Sequence, residues 1–100
     1  MLECIAAIEG YCASADIEQD ERTLDAVLRR LQILTESSQR ISDGLRAVHP
    51  EVPWRELAGF RNVVVHEYLG IQVDRVKAIV SHDIPPLRRQ LLAILAKLNA

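Results

Sequence analysis

Apolar residues recur along the chain at spacings of three and four, and the interruptions in that pattern divide it into five helical segments. The first runs from about Leu2 to Ala15, with Leu2, Ile5, Ala6 and Ile8 on its apolar side, and the acidic DIEQDE follows as a turn. The second is long: from Leu24, the positions Val27, Leu28, Leu31, Leu34, Ile41, Leu45 and Val48 continue one seam that includes Ser38, and Pro50 ends it. At 1.5 Å per residue this predicts a central rod of roughly 40 Å. Arg29, Ile33, Glu36 and Arg40 point away from the seam, and an isoleucine among charges marks a candidate second contact surface. The third segment starts at Pro53 and Trp54 and stops at Gly70, a good C-terminal capping residue. A short fourth carries Val73, Val76 and Val80. The last is announced by Asp83, Pro85 and Pro86 and carries Leu87, Leu91, Ile94, Leu95 and Leu98.

This pattern predicts an all-α fold, an up-and-down bundle of four to five helices in one domain over residues 1–100. Composition agrees, because four aromatic residues and four glycines are too few for a sandwich or barrel. No apolar run approaches the roughly 20 residues that cross a bilayer, and MLECIAAIEGYCASADIEQD lacks the basic start and cleavage site of a signal peptide. The expected location is cytoplasmic, with no membrane contact. Cys4 and Cys12 would stand roughly 12 Å apart on a helix, too far for a disulfide, so both are expected reduced.

Charge changes the picture along the chain. Residues 1–54 carry five Arg against ten Asp and Glu, whereas residues 55–100 carry seven Arg and Lys against four Asp and Glu. The second half, net +3, is the half suited to a polyanion.

The candidate chemistry lies in that half, in RNVVVHEY (61–68). On a continuous helix Trp54, Leu57, Ala58, Arg61, Val64, Val65 and Tyr68 share one stripe, with Asn62 and His66 one turn apart on the flank. This reading puts Arg61 in the middle of the buried face, where a guanidinium must either snorkel out or face a polar cleft. His49 and His82 read as turn and capping residues, and Glu36 with Arg40 as an exposed pair. The histidines are too scattered for a metal site, and neither a phosphate-binding glycine loop nor a Ser-His-Asp set is present.

The longer string HPEVPWRELAGFRNVVVHEYLGI resembles the signature of the HepT-like proteins of the HEPN superfamily. Their pattern of an arginine, four residues, a histidine, any residue and a tyrosine is matched by Arg61, His66 and Tyr68, with Asn62 after the arginine. RRLQILTESSQRIS is similar to the family's long second helix and HDIPPLRRQLL to its last. The chain departs from the pattern in three places: a first helix one or two turns short, Thr35 where a glycine is frequent, and Lys77 where a tryptophan is frequent.

The resemblance implies an HEPN-like bundle and a ribonuclease that needs neither metal nor cofactor. It would be the toxin of a toxin-antitoxin pair whose antitoxin is a small nucleotidyltransferase. RNA is the implied substrate, and DNA, which lacks the 2′-hydroxyl, is not expected. Arg61 and His66 are the implied catalytic residues, with Asn62 supporting them. A histidine with its ordinary pKa near ~6.5 moves protons at neutral pH, and an arginine grips phosphate oxygens. One such histidine per chain leaves a base and an acid to be found for one turnover, which a homodimer with a shared groove would supply. Tyr68 is the implied acceptor of AMP from the antitoxin. The alternative is a non-catalytic helical partner or nucleotide-binding subunit of a nucleotidyltransferase.

Overall fold

Helix α2 (Glu21–Gln39) is the centre of the computed structural model, which describes residues 1–68 and 73–98. Asp20 starts it: its carboxylate accepts from the backbone N–H groups of Arg22 (3.0 Å) and Thr23 (3.4 Å), two donors the first turn leaves without partners. The predicted seam then closes, with Val27, Leu28, Leu31, Leu34 and Ser38 buried, and Thr35, outside that prediction, is buried with them. Helix α1 (Leu2–Ser14) covers one side of α2, and α4 (Trp54–Tyr68) covers the other. Cys4, Ile5 and Ile8 come in from α1, and Leu57, Phe60, Val63 and Val64 from α4. Both cysteines are free, and Ile17 in the α1–α2 turn closes the core.

The long rod is the first correction. Helix α2 stops at Gln39, and Ser42 starts a separate helix, α3 (Asp43–Val48), by accepting the Leu45 N–H on its hydroxyl at 3.2 Å. Between Ser37 and Gly44 the chain is rich in residues whose side chains compete for backbone groups, so propensity favours a cap over continuation. The apolar seam does not extend past the break: Ile41 and Leu45 are half-buried, and Val48 is 67 % exposed.

The second correction runs the other way. The fourth and fifth predicted segments are one rod, α5 (Val73–Ala78) and α6 (Ile84–Leu98), joined through a π-helical turn at Ile79–Asp83. Pro85 and Pro86 cannot donate backbone hydrogen bonds, and a proline ring clashes with the carbonyl four residues back. The wider turn, in which the Ile84 N–H reaches Ile79 O, relieves both. Val76, Ile79, Ile84, Leu87 and Ile94 are buried along this rod, and α6 packs on α1. Leu95 and Leu98, expected in the buried stripe, are instead 45 % and 64 % exposed. Among the described residues the helix count matches expectation only because one break and one fusion offset each other. No strand occurs among the described residues, and none of their helices is long and apolar enough to cross a membrane.

Candidate active site

Helix α4 presents the motif, and its orientation differs from the predicted stripe. Leu57, Phe60, Val63 and Val64 face the core, while Ala58, Arg61 and Val65 are exposed. At ~100° per residue this is a rotation of roughly a quarter turn. The reason is energetic: Phe60 and Val63 bury far more apolar surface than Ala58, and the rotation avoids desolvating a guanidinium. Trp54 is half-buried against the core, its indole N–H donating to His49 O at 3.0 Å. His49 itself ends α3 and faces Glu51 at 3.3 Å, the turn role its position predicts.

Arg61 is therefore exposed and not on the buried face, and it lines a groove of mixed polar and apolar character. The groove between α2 and α4 has a volume of about 260 Å3 and is lined by Gln32, Thr35, Glu36 and Gln39 of α2 and by Arg61, Val64 and Val65 of α4. Beneath it, the buried Thr35 hydroxyl is shared between Leu31 O (3.0 Å) and Leu57 O (3.4 Å), linking α2 to the α4 turn just before Arg61. A glycine here could make neither contact. Along the rim Arg29 Nη1 donates to Gln32 Oε1 (3.5 Å), and Gln32 Nε2 donates to Glu36 Oε1 (3.3 Å). Ile33, expected as a free contact point on α2, is half-buried and packs against the core.

Asn62 and His66 are exposed one turn apart on α4, and neither lines the groove that holds Arg61. His66 stands five positions after Arg61, which puts them about 140° apart around the helix and about 7.5 Å apart along it. One chain thus turns its arginine into the groove and its histidine to a neighbouring face. Tyr68 is the last residue of α4, and its side chain, like Gly70, lies outside the described residues.

A larger cavity of about 400 Å3, lined in part by Cys12, Asp16, Lys77 and Ser81, lies at the C-terminal end of α1. Burial, then the Asp16 carboxylate, pushes the Cys12 thiol up, which keeps it protonated and a poor nucleophile. Lys77 is held by Glu18 at 3.1 Å. This cavity offers structure without evident chemistry. Among the described residues no group of three or more His, Cys, Asp and Glu is placed to hold a metal ion.

The family model described as "Ribonuclease HepT-like" matches residues 1–94. The chain belongs to this HepT-like ribonuclease family. Relatives include "Probable ribonuclease HepT" of Thermococcus cleftensis, 37 % identical over 89 residues that cover 86 % of this chain and 81 % of the relative. A "Putative RNase" of Methanocaldococcus jannaschii is 38 % identical over 65 residues, covering 65 % of this chain and 60 % of that one. No solved structure matches the chain significantly. The all-α, HEPN-like architecture and ribonuclease class of this HepT-like protein follow from the fold and the family match. What motif reading missed is the α2 wall: Gln32, Glu36 and Gln39 stand at i, i+4 and i+7, a polar row visible in the sequence once Arg61 is known to face it.

Proposed function

We propose that this protein is a metal-independent endoribonuclease toxin, with Arg61 and His66 as its catalytic residues and Asn62 supporting them. The observation that carries the reading is that Arg61, Asn62 and His66 are all exposed on α4, with Arg61 lining a groove, in a chain that matches the family over residues 1–94. A proton leaves the RNA 2′-hydroxyl, its oxygen bonds to the adjacent phosphorus, and the 5′-oxygen departs with a proton, leaving a 2′,3′-cyclic phosphate and a 5′-hydroxyl. Histidine suits both proton transfers, and Arg61 suits the charge accumulating on phosphorus. Because Arg61 and His66 diverge by about 140° on one helix, a homodimer that faces two α4 helices across a shared groove is the arrangement that brings them together.

Control completes the proposal. A cognate nucleotidyltransferase antitoxin transfers AMP from ATP to the Tyr68 hydroxyl, two residues after His66, with pyrophosphate and the phenolic proton leaving, and the added charge and bulk exclude RNA phosphate. Purified wild type should cleave RNA in EDTA, and His66→Ala and Arg61→Ala should each abolish cleavage while remaining folded. Cleavage that persists in His66→Ala, or that demands a divalent metal, refutes the mechanism, whereas a wild type that cleaves no RNA favours a non-catalytic partner of the transferase. Coexpression with the transferase should add one AMP to the wild-type Tyr68 peptide and none to Tyr68→Phe.

A further inference from the structure

An acidic side chain in a groove meant for RNA needs a reason, because a carboxylate repels the phosphates that Arg61 attracts. Glu36 is exposed and lines that groove. The hydrogen bonds from Arg29 to Gln32 (3.5 Å) and from Gln32 to Glu36 Oε1 (3.3 Å) orient the carboxylate, leaving Oε2 as the free acceptor. RNA groups that can donate to it are the base amino and imino groups and the 2′-hydroxyl. Gln39, three residues on and so beside Glu36 on the same helix face, adds an amide that can donate to a neighbouring acceptor. Val64 and the half-exposed Val65 supply an apolar wall for the face of a ring. At about 260 Å3 the groove lies just below the roughly 300–1,000 Å3 of sites that enclose drug-sized ligands, a size that accommodates one base.

We infer that the α2–α4 groove is a nucleobase pocket in which Glu36 and Gln39 select bases that carry an exocyclic amino group over uracil, beside the phosphate held by Arg61. Adenine and cytosine present that amino group next to a ring-nitrogen acceptor, and guanine presents amino and imino donors beside a carbonyl oxygen; each edge complements a carboxylate flanked by an amide donor. Uracil presents one imino donor between two carbonyl oxygens that a carboxylate repels. Single-stranded RNA exposes these edges, and a side chain that accepts from an exocyclic amine discriminates strongly between bases. The inference rests on the ribonuclease reading for the role of Arg61, but not for its test.

The test uses labelled pentanucleotides of uniform A, C or U sequence with 2′-O-methyl groups, which bind but cannot be cut, titrated against the full chain by fluorescence anisotropy. Wild type should bind the A and C strands about tenfold tighter than U. Glu36→Gln, whose amide can donate to uracil oxygens, should bring that ratio close to one, and Gln39→Leu should reduce it. Comparing ratios between wild type and variant cancels the stacking of the free strands. Thermal melts establish that each variant is folded. Equal wild-type affinities, or a preference unchanged in Glu36→Gln, overturns the proposal. So does a Glu36→Gln protein that cuts natural RNA more slowly beside every base with its preference intact, since that would assign Glu36 to proton transfer. Failure of wild type to cut any RNA would refute the ribonuclease reading and leave the binding ratios to decide this one.

Discussion

Replacing Thr35 separates a hydrogen bond from the packing around it, at a position where the two effects are of similar size. Its hydroxyl carries one proton shared between Leu31 O and Leu57 O, so the net contribution is that of a single bond, about 1 kcal/mol. Both carbonyls lie in helices and keep a backbone N–H partner without it. Thr35→Val removes the bond but buries a methyl group worth about 0.8 kcal/mol, so the two nearly cancel and stability should stay within about 0.5 kcal/mol of wild type. Thr35→Ser keeps the hydroxyl and loses the methyl, costing about 1 kcal/mol. Thr35→Ala loses both, costing about 2 kcal/mol. In a chain of this length 1 kcal/mol moves the melting midpoint by about 4–8 °C, so Thr35→Ala should melt some 8–16 °C low while Thr35→Val stays close to wild type. Calorimetry on the four proteins at one concentration decides it. If Thr35→Val melts as low as Thr35→Ala, the hydroxyl is indispensable to the α2–α4 contact and the balance described here is wrong.

Asp20→Ala should cost about 1 kcal/mol in urea melts, because it strands the Arg22 and Thr23 N–H groups at the start of α2, while Asp20→Asn should retain most of the stability. The Glu51 carboxyl is held below its ordinary value by a backbone hydrogen bond first, with a smaller contribution from His49. A depressed carboxylate contributes stability above its unfolded pKa of about 4.3, and that contribution disappears as pH falls through the folded value; Glu51→Gln should therefore flatten the acid limb of a pH–stability curve, and an unchanged limb would count against the assignment. For the proposed dimer, titrating His66→Ala chains into wild type should reduce cleavage by more than dilution after subunit exchange. Strict proportionality would argue for sites contained in one chain.

The seam of α2 was legible in the sequence because five of its six buried positions, all but Thr35, follow a three-and-four spacing in a segment with few competing apolar residues. Helix α4 was harder for the opposite reason. Its three consecutive valines, with Trp54, Leu57, Ala58 and Phe60, offer apolar residues on almost every face, so periodicity alone fits two stripes a quarter turn apart, and only the size of Phe60 and the cost of burying Arg61 decide between them. The motif itself needed no orientation to be found. The groove did, since Gln32, Glu36 and Gln39 acquire meaning only opposite Arg61. The break at Ser42 and the fusion through Ile79–Asp83 were both misread because a cap and a proline pair each admit two outcomes, and tertiary packing selects between them.

The π-helical turn has a bearing on how the length of this chain can change. Such a turn holds one residue more than the regular helix it interrupts, so losing one residue between Ile79 and Asp83 would leave the residues after it in the same rotational phase. A deletion elsewhere in the rod would turn everything beyond it by about 100° and carry Leu87 and Ile94 off the core. Length and phase are thus uncoupled at this one stretch of the rod. The prolines guard it, because in a regular helix the rings of Pro85 and Pro86 would meet the carbonyls four residues earlier. A shortened version of this rod is therefore accessible only through a coupled change, in which the extra residue and the two prolines are lost together.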